Sequence, residues 1–153
     1  DYRGYGLSQG NRRIKAIIND YEEIIESIQA SGKYKKTFLY GTSFGGVVFL
    51  NIANRLDFDG LVIDGTPSKL PSVCPSRLDP IQRIDEIQGA LLFIKADNDK
   101  LVDSAGLILK GESEGHKIAK CGGCKHPFQD NADRHWPRMM TVRNFFLDKI
   151  NNE

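Results

Sequence analysis

The chain has 153 residues, a net charge of +1 and 40% hydrophobic residues, which suits one globular domain with room for a core. The near-neutral charge disfavours a nucleic-acid surface, whose affinity comes largely from lysines and arginines neutralising phosphates. No apolar stretch approaches the roughly 20 residues of a bilayer crossing, so no membrane segment is expected. Three cysteines, an odd number, do not suggest a disulfide framework and favour a reducing, cytoplasmic setting.

Short apolar segments alternate with helical patterns, as in a parallel sheet that is covered by helices. After a glycine-rich loop over 1–10, isoleucines at helical spacing predict a helix over 12–30, which Gly32 is placed to end. The predicted strands, in chain order, are 37–40, 61–63, 90–96 and a weaker one at 117–120. The other predicted helices are 45–55, 103–110 and 133–150. Four prolines between 66 and 80 predict a loop with at most a short helix.

The segment Gly41-Thr42-Ser43-Phe44-Gly45 fits the pattern G-x-S-x-G between a predicted strand and a predicted helix. A serine on so sharp a turn takes a strained backbone conformation that projects its hydroxyl outward. Side chains two positions away would collide, which explains glycine at 41 and 45. The N–H groups that open the helix are free to stabilise an oxyanion. The simpler interpretation is a glycine-rich turn in which Ser43 caps the helix.

Four segments resemble the α/β-hydrolase superfamily, and together they span the chain. Residues 1–10 resemble the D-x-R-G-x-G-x-S-x-G loop after its fourth strand, and 39–46 resemble its fifth strand and nucleophile elbow. Residues 92–103 resemble the strand and loop of the catalytic acid, and 122–128 the loop of the catalytic histidine. The resemblance implies a single three-layer α/β/α domain over 1–153. Its mostly parallel sheet would be truncated to about four strands, the family's strands 5–8.

The resemblance also implies a catalytic triad of Ser43 as nucleophile, Asp99 as acid and His126 as base, in the family's chain order. Asp97 is the competing acid, because the register of such a loop is uncertain. The backbone N–H of Phe44 would be an oxyanion donor. The implied reaction is hydrolysis of a small acyl substrate, an ester or thioester in preference to a peptide, with no cofactor and no metal. The remaining histidines are expected to be surface or packing residues: His116 and His135.

The family's first strands, and the loop that supplies its second oxyanion donor, would precede Asp1. Without them, 37–40 is expected to be an exposed edge strand, open to self-association or to a complementing chain. Residues 66–89 occupy the family's lid position, and their length suggests a minimal lid over an open site. An incomplete or non-catalytic hydrolase fragment is therefore the main alternative to an active enzyme.

A second alternative rests on the Cys121-Gly122-Gly123-Cys124 pattern. With Cys74, His116 or His126 this pair would form a zinc site, or alone a redox site. A structural zinc needs four ligands, and only one close pair is present, so two thiols beside the histidine loop are the preferred interpretation. The sequence does not identify the acyl group, the leaving group or the oligomeric state.

Overall fold

The computed structural model describes residues 1–151 and contains four parallel strands with helices on both faces. The strands are β1 (Phe38–Thr42), β2 (Gly60–Asp64), β3 (Leu91–Ala96) and β4 (Lys117–Cys121). The helices are α1 (Ile14–Ala30), α2 (Phe44–Leu50), α3 (Ala105–Ser113) and α4 (Ala132–Asn151). The sheet order β1-β2-β3-β4 follows the chain, and every pairing is parallel. The predicted parallel α/β/α architecture with about four strands is confirmed.

The core lies on both sides of the sheet because the side chains of β2 and β3 alternate between its faces. One face buries Leu61 and Phe93 against α1, α2 and α3, and the other buries Val62 and Leu92 against α4. All five residues of β2 are buried, which explains its short, continuous apolar run. Each such side chain contributes roughly 1.5–3 kcal/mol on burial.

The amino-terminal loop is fixed beside the start of α2 by aromatic packing. The ring of Tyr2 lies 5.4 Å from that of Tyr21 on α1 and 5.3 Å from that of Phe44, centroid to centroid. Arg3 forms an ion pair with Asp20 of α1. The loop that opens the chain therefore packs against the turn that carries Ser43.

Helix α2 is shorter than the predicted helix over 45–55. It ends at Leu50, and a separate 3₁₀ turn follows over Ala53–Arg55. At the end of α2 the buried Asn51 donates its side-chain amide to the Val47 carbonyl at 2.9 Å and to a loop carbonyl at 3.0 Å. Such bonds from asparagine compete with continued helix, so the periodic apolar pattern overestimated its length.

Residues 66–89 form three 3₁₀ turns, in agreement with the predicted absence of a long helix. Ile84 and Ile87 are buried in the main core, so the second half of the segment belongs to the body of the domain. Residues 71–77 are mostly exposed, and Val73 is 91% exposed. A lid role is left as a prediction for this exposed part alone.

Strand β1 lies at one edge of the sheet, and its outer edge pairs with no strand within residues 1–151. This is the edge position expected for 37–40. No helix in the described part of the chain is long and apolar enough to cross a membrane.

Candidate active site

Ser43 joins β1 to α2 in a backbone conformation that side chains seldom adopt. Its φ of 51° and ψ of −119° lie in a left-handed region that is strained for a residue other than glycine. Although it occupies the N-cap position of α2, its side chain makes no capping hydrogen bond. The interpretation of Ser43 as a helix cap is therefore wrong.

The main chain of Ser43 is held by the segment that follows β2. Its N–H donates to the Asp64 carbonyl at 2.8 Å, and the hydroxyl of Thr66 donates to the Ser43 carbonyl at 3.0 Å. Thr66 is itself 1% exposed. These two bonds fix the turn from its backbone and leave the Ser43 hydroxyl uncommitted.

Two glycines at this turn are required by close packing. A Cβ at Gly41 would lie 2.7 Å from the Cα of Gly46, and a Cβ at Gly46 would lie 1.9 Å from Thr66 Oγ1. At Gly45, by contrast, a Cβ would meet only the Tyr2 hydroxyl, at 3.4 Å. The steric role predicted for Gly41 and Gly45 thus falls on Gly41 and Gly46 in the structure. The G-x-S-x-G pattern does not extend to Gly46, so it gave no signal there.

Asp99 and His126 form a partly buried pair. Asp99 Oδ2 lies 2.8 Å from His126 Nδ1, and the two side chains are 4% and 12% exposed. The other carboxylate oxygen of Asp99 accepts the N–H groups of Leu101 at 2.9 Å and Val102 at 3.3 Å. The loop therefore aims one oxygen at the ring and anchors the other, as required of a group that orients an imidazole.

Asp97, the competing acid, has a different contact. Its carboxylate accepts the N–H of Gly123, and the residue is exposed. Asp97 thus braces the loop before His126, whereas the ring itself contacts Asp99.

Ser43 and His126 both adjoin the short segment 64–66. The segment holds the Ser43 main chain, and a Cβ added at Gly65 would lie 3.2 Å from His126 Cε1. Within residues 1–151 no hydrogen bond joins the Ser43 hydroxyl to the His126 ring. Catalytic hydrogen bonds are commonly long or poorly aligned in unliganded enzymes and tighten when substrate binds.

A buried group of charges, which the sequence analysis missed, lies beneath the histidine loop. Arg138 of α4 is 2% exposed, and its Nη1 lies 2.6 Å from Asp130 Oδ2. Its Nε lies 3.2 Å from Asp64 Oδ2 without hydrogen-bond geometry, and its Nη2 donates to the Lys125 carbonyl at 2.8 Å. The Tyr40 hydroxyl donates to Asp64 at 3.0 Å. The sequence signal for this group was one carboxylate, Asp64, at the carboxyl end of β2.

Burial dominates the ionisation of this group. It raises the pKa of Asp64 to about 6, although the Arg138 cation and the Tyr40 hydroxyl both act to lower it. Burial, together with the neighbouring Asp64 carboxylate, also raises the pKa of Tyr40. Asp64 is fully buried, and its Oδ1 has no hydrogen-bond partner among residues 1–151.

The residues after His126 form a tight turn with an unusual occupant. Gln129 N–H donates to the His126 carbonyl at 3.0 Å, and Phe128 has a φ of 70° although it is 78% exposed. With Pro127 before it, this position is the third residue of a type II turn, which favours glycine.

Changing Phe128 to glycine is expected to raise the free energy of unfolding by about 0.5–1 kcal/mol, because it relieves backbone strain and loses little burial. Phe128→Ala, which keeps the strained conformation, is expected to leave stability nearly unchanged. Urea denaturation of both variants measures the difference. If glycine destabilised the protein more than alanine, the strain would be absent.

The expectation that Cys121 and Cys124 are two thiols was wrong. Cys121, the last residue of β4, forms a disulfide with Cys124 in the loop before His126, and Cys74 is the free cysteine within residues 1–151. Local pairing across two residues does not need the even count of a disulfide framework. The expectation of a reducing, cytoplasmic setting therefore loses the observation on which it rested.

Within the described residues the geometry offers neither a zinc site nor a second candidate for the catalytic base. No cluster of three or more His, Cys, Asp or Glu side chains within residues 1–151 is placed to hold a metal ion. Burial lowers the pKa of His116, whose ring lies 6.3 Å from that of Phe93, as expected of a packing residue. His135 lies on α4, outside the loops that carry Ser43, Asp99 and His126.

Comparison with known proteins decides the family. Residues 1–78 of the 153 match the model of a family described as serine aminopeptidase, S33. The chain belongs to this α/β-hydrolase family. A relative in Caenorhabditis elegans, the α/β-hydrolase domain-containing protein aho-3, is 27% identical over 114 residues. The match covers 67% of this chain and 34% of aho-3, so the chain spans about one third of that relative.

Solved structures of α/β-hydrolases share the fold across nearly the whole chain. The Pyrococcus furiosus esterase Pf2001 superposes with a TM-score of 0.76 at 17% identity, covering 97% of this chain and 68% of that one. Thermogutta terrifontis esterase 2, phosphorylated by paraoxon, gives a TM-score of 0.77 at 14% identity, covering 99% and 69%. The chain thus spans about two thirds of the length of these two esterases.

Proposed function

We propose that the protein is a serine hydrolase that cleaves carboxylic esters or thioesters through an acyl-enzyme on Ser43. The observation that carries this proposal is the strained, uncapped Ser43, which shares the 64–66 segment with a histidine oriented by Asp99. Strain in a residue that does not cap its helix is typical of a nucleophile elbow. Membership in a hydrolase family supports the same conclusion at a coarser level.

The proposed mechanism follows from where charge develops. His126 accepts the proton of the Ser43 hydroxyl as its oxygen attacks the acyl carbonyl, while Asp99 holds the ring and stabilises the imidazolium. The N–H of Phe44 stabilises the oxyanion. The proton then passes from His126 to the leaving alcohol or thiol. Water, deprotonated by the same histidine, hydrolyses the acyl-enzyme and regenerates Ser43.

The preference for esters over peptides is an analogy with the fold neighbours. Both neighbours described above are esterases by name, whereas the family description names an aminopeptidase. Because one fold hosts several acyl-transfer reactions, the neighbours alone do not choose between them. The proposed substrate is a small acyl compound that enters an open site, with the exposed 71–77 segment proposed as a minimal lid.

A second candidate follows from the outer edge of β1, which pairs with no strand within residues 1–151. In this hypothesis the described strands form only part of the catalytic unit, and a complementing segment or a second copy pairs along 37–40. That segment would also supply a second oxyanion donor. One such donor is worth about 10²- to 10³-fold in rate, so the chain by itself would be a slow enzyme or inactive.

Hydrolysis assays test the proposal. The purified chain is expected to hydrolyse p-nitrophenyl butyrate and a butyryl thioester, and to be much slower on an aminoacyl p-nitroanilide. Ser43→Ala is expected to abolish hydrolysis of both acyl substrates, whereas the matched control Ser27→Ala, at an exposed serine on α1, should leave it unchanged. Ester hydrolysis that persists in Ser43→Ala would contradict the proposal. A marked increase in specific activity, the rate per protein molecule, with protein concentration would favour the self-associating form.

A further inference from the structure

A single buried cation connects α4 to the loop that bears His126. Arg138 is the largest side chain in the described part of the chain with almost no solvent exposure. Its guanidinium contacts both the loop, through Lys125 and Asp130, and the carboxyl end of β2, through Asp64.

These contacts bracket the histidine on both sides. Lys125, directly before His126, uses both of its main-chain groups: its carbonyl accepts from Arg138 at 2.8 Å, and its N–H donates to Asp130 Oδ1 at 2.7 Å. Asp130, four residues after His126, accepts from Arg138 through its other oxygen at 2.6 Å. Arg138 and Asp130 thus close the loop 125–130 into a ring of hydrogen bonds around the histidine.

The chemistry of the arrangement points to positioning rather than simple packing. An apolar side chain would fill the same space beneath the loop, but it would leave two buried carboxylates, Asp64 and Asp130, without their cation. Burying such charges is costly unless their geometry is well satisfied. A planar guanidinium, unlike an ammonium, presents several donors in fixed directions and can hold a carbonyl and a carboxylate at once.

We propose that Arg138 is a positioning residue for the catalytic base: it holds the loop 125–130 in the register that directs His126 toward Asp99 and Ser43. This inference rests on the proposed function in that His126 is the base. Arg138 does not touch the substrate, so its loss misorients the ring rather than removing a reacting group. A small misplacement of a catalytic group can cost about 10²-fold in rate.

Three variants separate this role from a general effect on stability. Arg138→Met removes the cation, Arg138→Lys keeps the charge but cannot make all three contacts, and Arg143→Met changes an exposed arginine on the same helix. Each is measured by thermal unfolding and by the rate at which a fluorophosphonate probe labels Ser43. A third measurement is the downfield NMR signal of the His126 Nδ1 proton that is shared with Asp99.

Arg138→Met is expected to lower the labelling rate by about 10- to 100-fold and to weaken or shift the His126 signal, in protein that is still folded at low temperature. Arg138→Lys is expected to retain part of the labelling rate and part of the His126 signal. Arg143→Met is expected to match the unchanged protein in both measurements. If Arg138→Met does not fold, Arg138→Lys carries the test with an expected loss of about fivefold to tenfold.

The proposal is overturned if folded Arg138→Met, or folded Arg138→Lys where methionine does not fold, keeps the original signal and a labelling rate within twofold of the original. Failure of the proposed function gives a different result. In that case the unchanged protein itself is not labelled at Ser43, while the NMR signal still reports whether Arg138 orients the His126 ring.

Discussion

Changing His126 to alanine is expected to lower the rate at which a fluorophosphonate probe labels Ser43 by about 10³- to 10⁴-fold. Within residues 1–151 the Ser43 hydroxyl makes no capping hydrogen bond, and in the proposed mechanism it depends on the imidazole to lose its proton as it attacks. The labelling rate is measured by quenching the reaction at successive times and determining the intact-protein mass. The matched control is His135→Ala, which alters a histidine on α4 and is expected to label normally.

The same assay distinguishes the two candidate acids. Asp99→Asn is expected to approach the effect of the His126 variant, because an amide in place of the carboxylate favours the wrong imidazole tautomer. Asp97→Asn changes only the carboxylate that accepts the Gly123 N–H, and it is expected to lower the labelling rate a few-fold at most. If Asp97→Asn lowered the labelling rate more than Asp99→Asn, the acid would be Asp97 and not Asp99.

The second large effect is expected at Gly46, where alanine should reduce the free energy of unfolding by about 3 kcal/mol or more. Its Cβ would lie 1.9 Å from Thr66 Oγ1 and 2.9 Å from Thr66 Cβ, and Thr66 is fully enclosed. The turn can relax only by moving Thr66 away, which breaks the hydrogen bond to the Ser43 carbonyl.

Gly45→Ala is the matched control, since its Cβ would meet only the end of the Tyr2 side chain at 3.4 Å. It is expected to change stability by less than about 1 kcal/mol. Urea denaturation of the two variants gives the comparison. Equal stability of Gly45→Ala and Gly46→Ala would contradict the packing described for this turn.

Features that are local in sequence were predictable. All four strands were predicted to within two residues at each end, and the clearest apolar runs belong to β2 and β3, because short buried parallel strands leave such a pattern. The G-x-S-x-G segment located a strained turn, since its physical cause lies in the pattern itself. The boundary of α2 was missed because it depends on Asn51, whose amide bonds across the chain to Leu78.

Features created by packing between distant segments were not predictable. Arg138 is one of several charged residues in α4, and only its position beneath the loop makes it a buried cation. Glycine is needed at position 46 because Thr66, twenty residues further along the chain, packs against it. Likewise, the sequence placed two carboxylates in the acid loop, and the direction of each was decided only by the partners that the fold supplied.

The most direct test of the account is to locate the fluorophosphonate adduct by peptide mass spectrometry in the original protein and in His126→Ala. One modified residue, Ser43, is expected at full occupancy in the first protein and near background in the second over the same time. An adduct on a different side chain, or equal modification of Ser43 in both proteins, would contradict it.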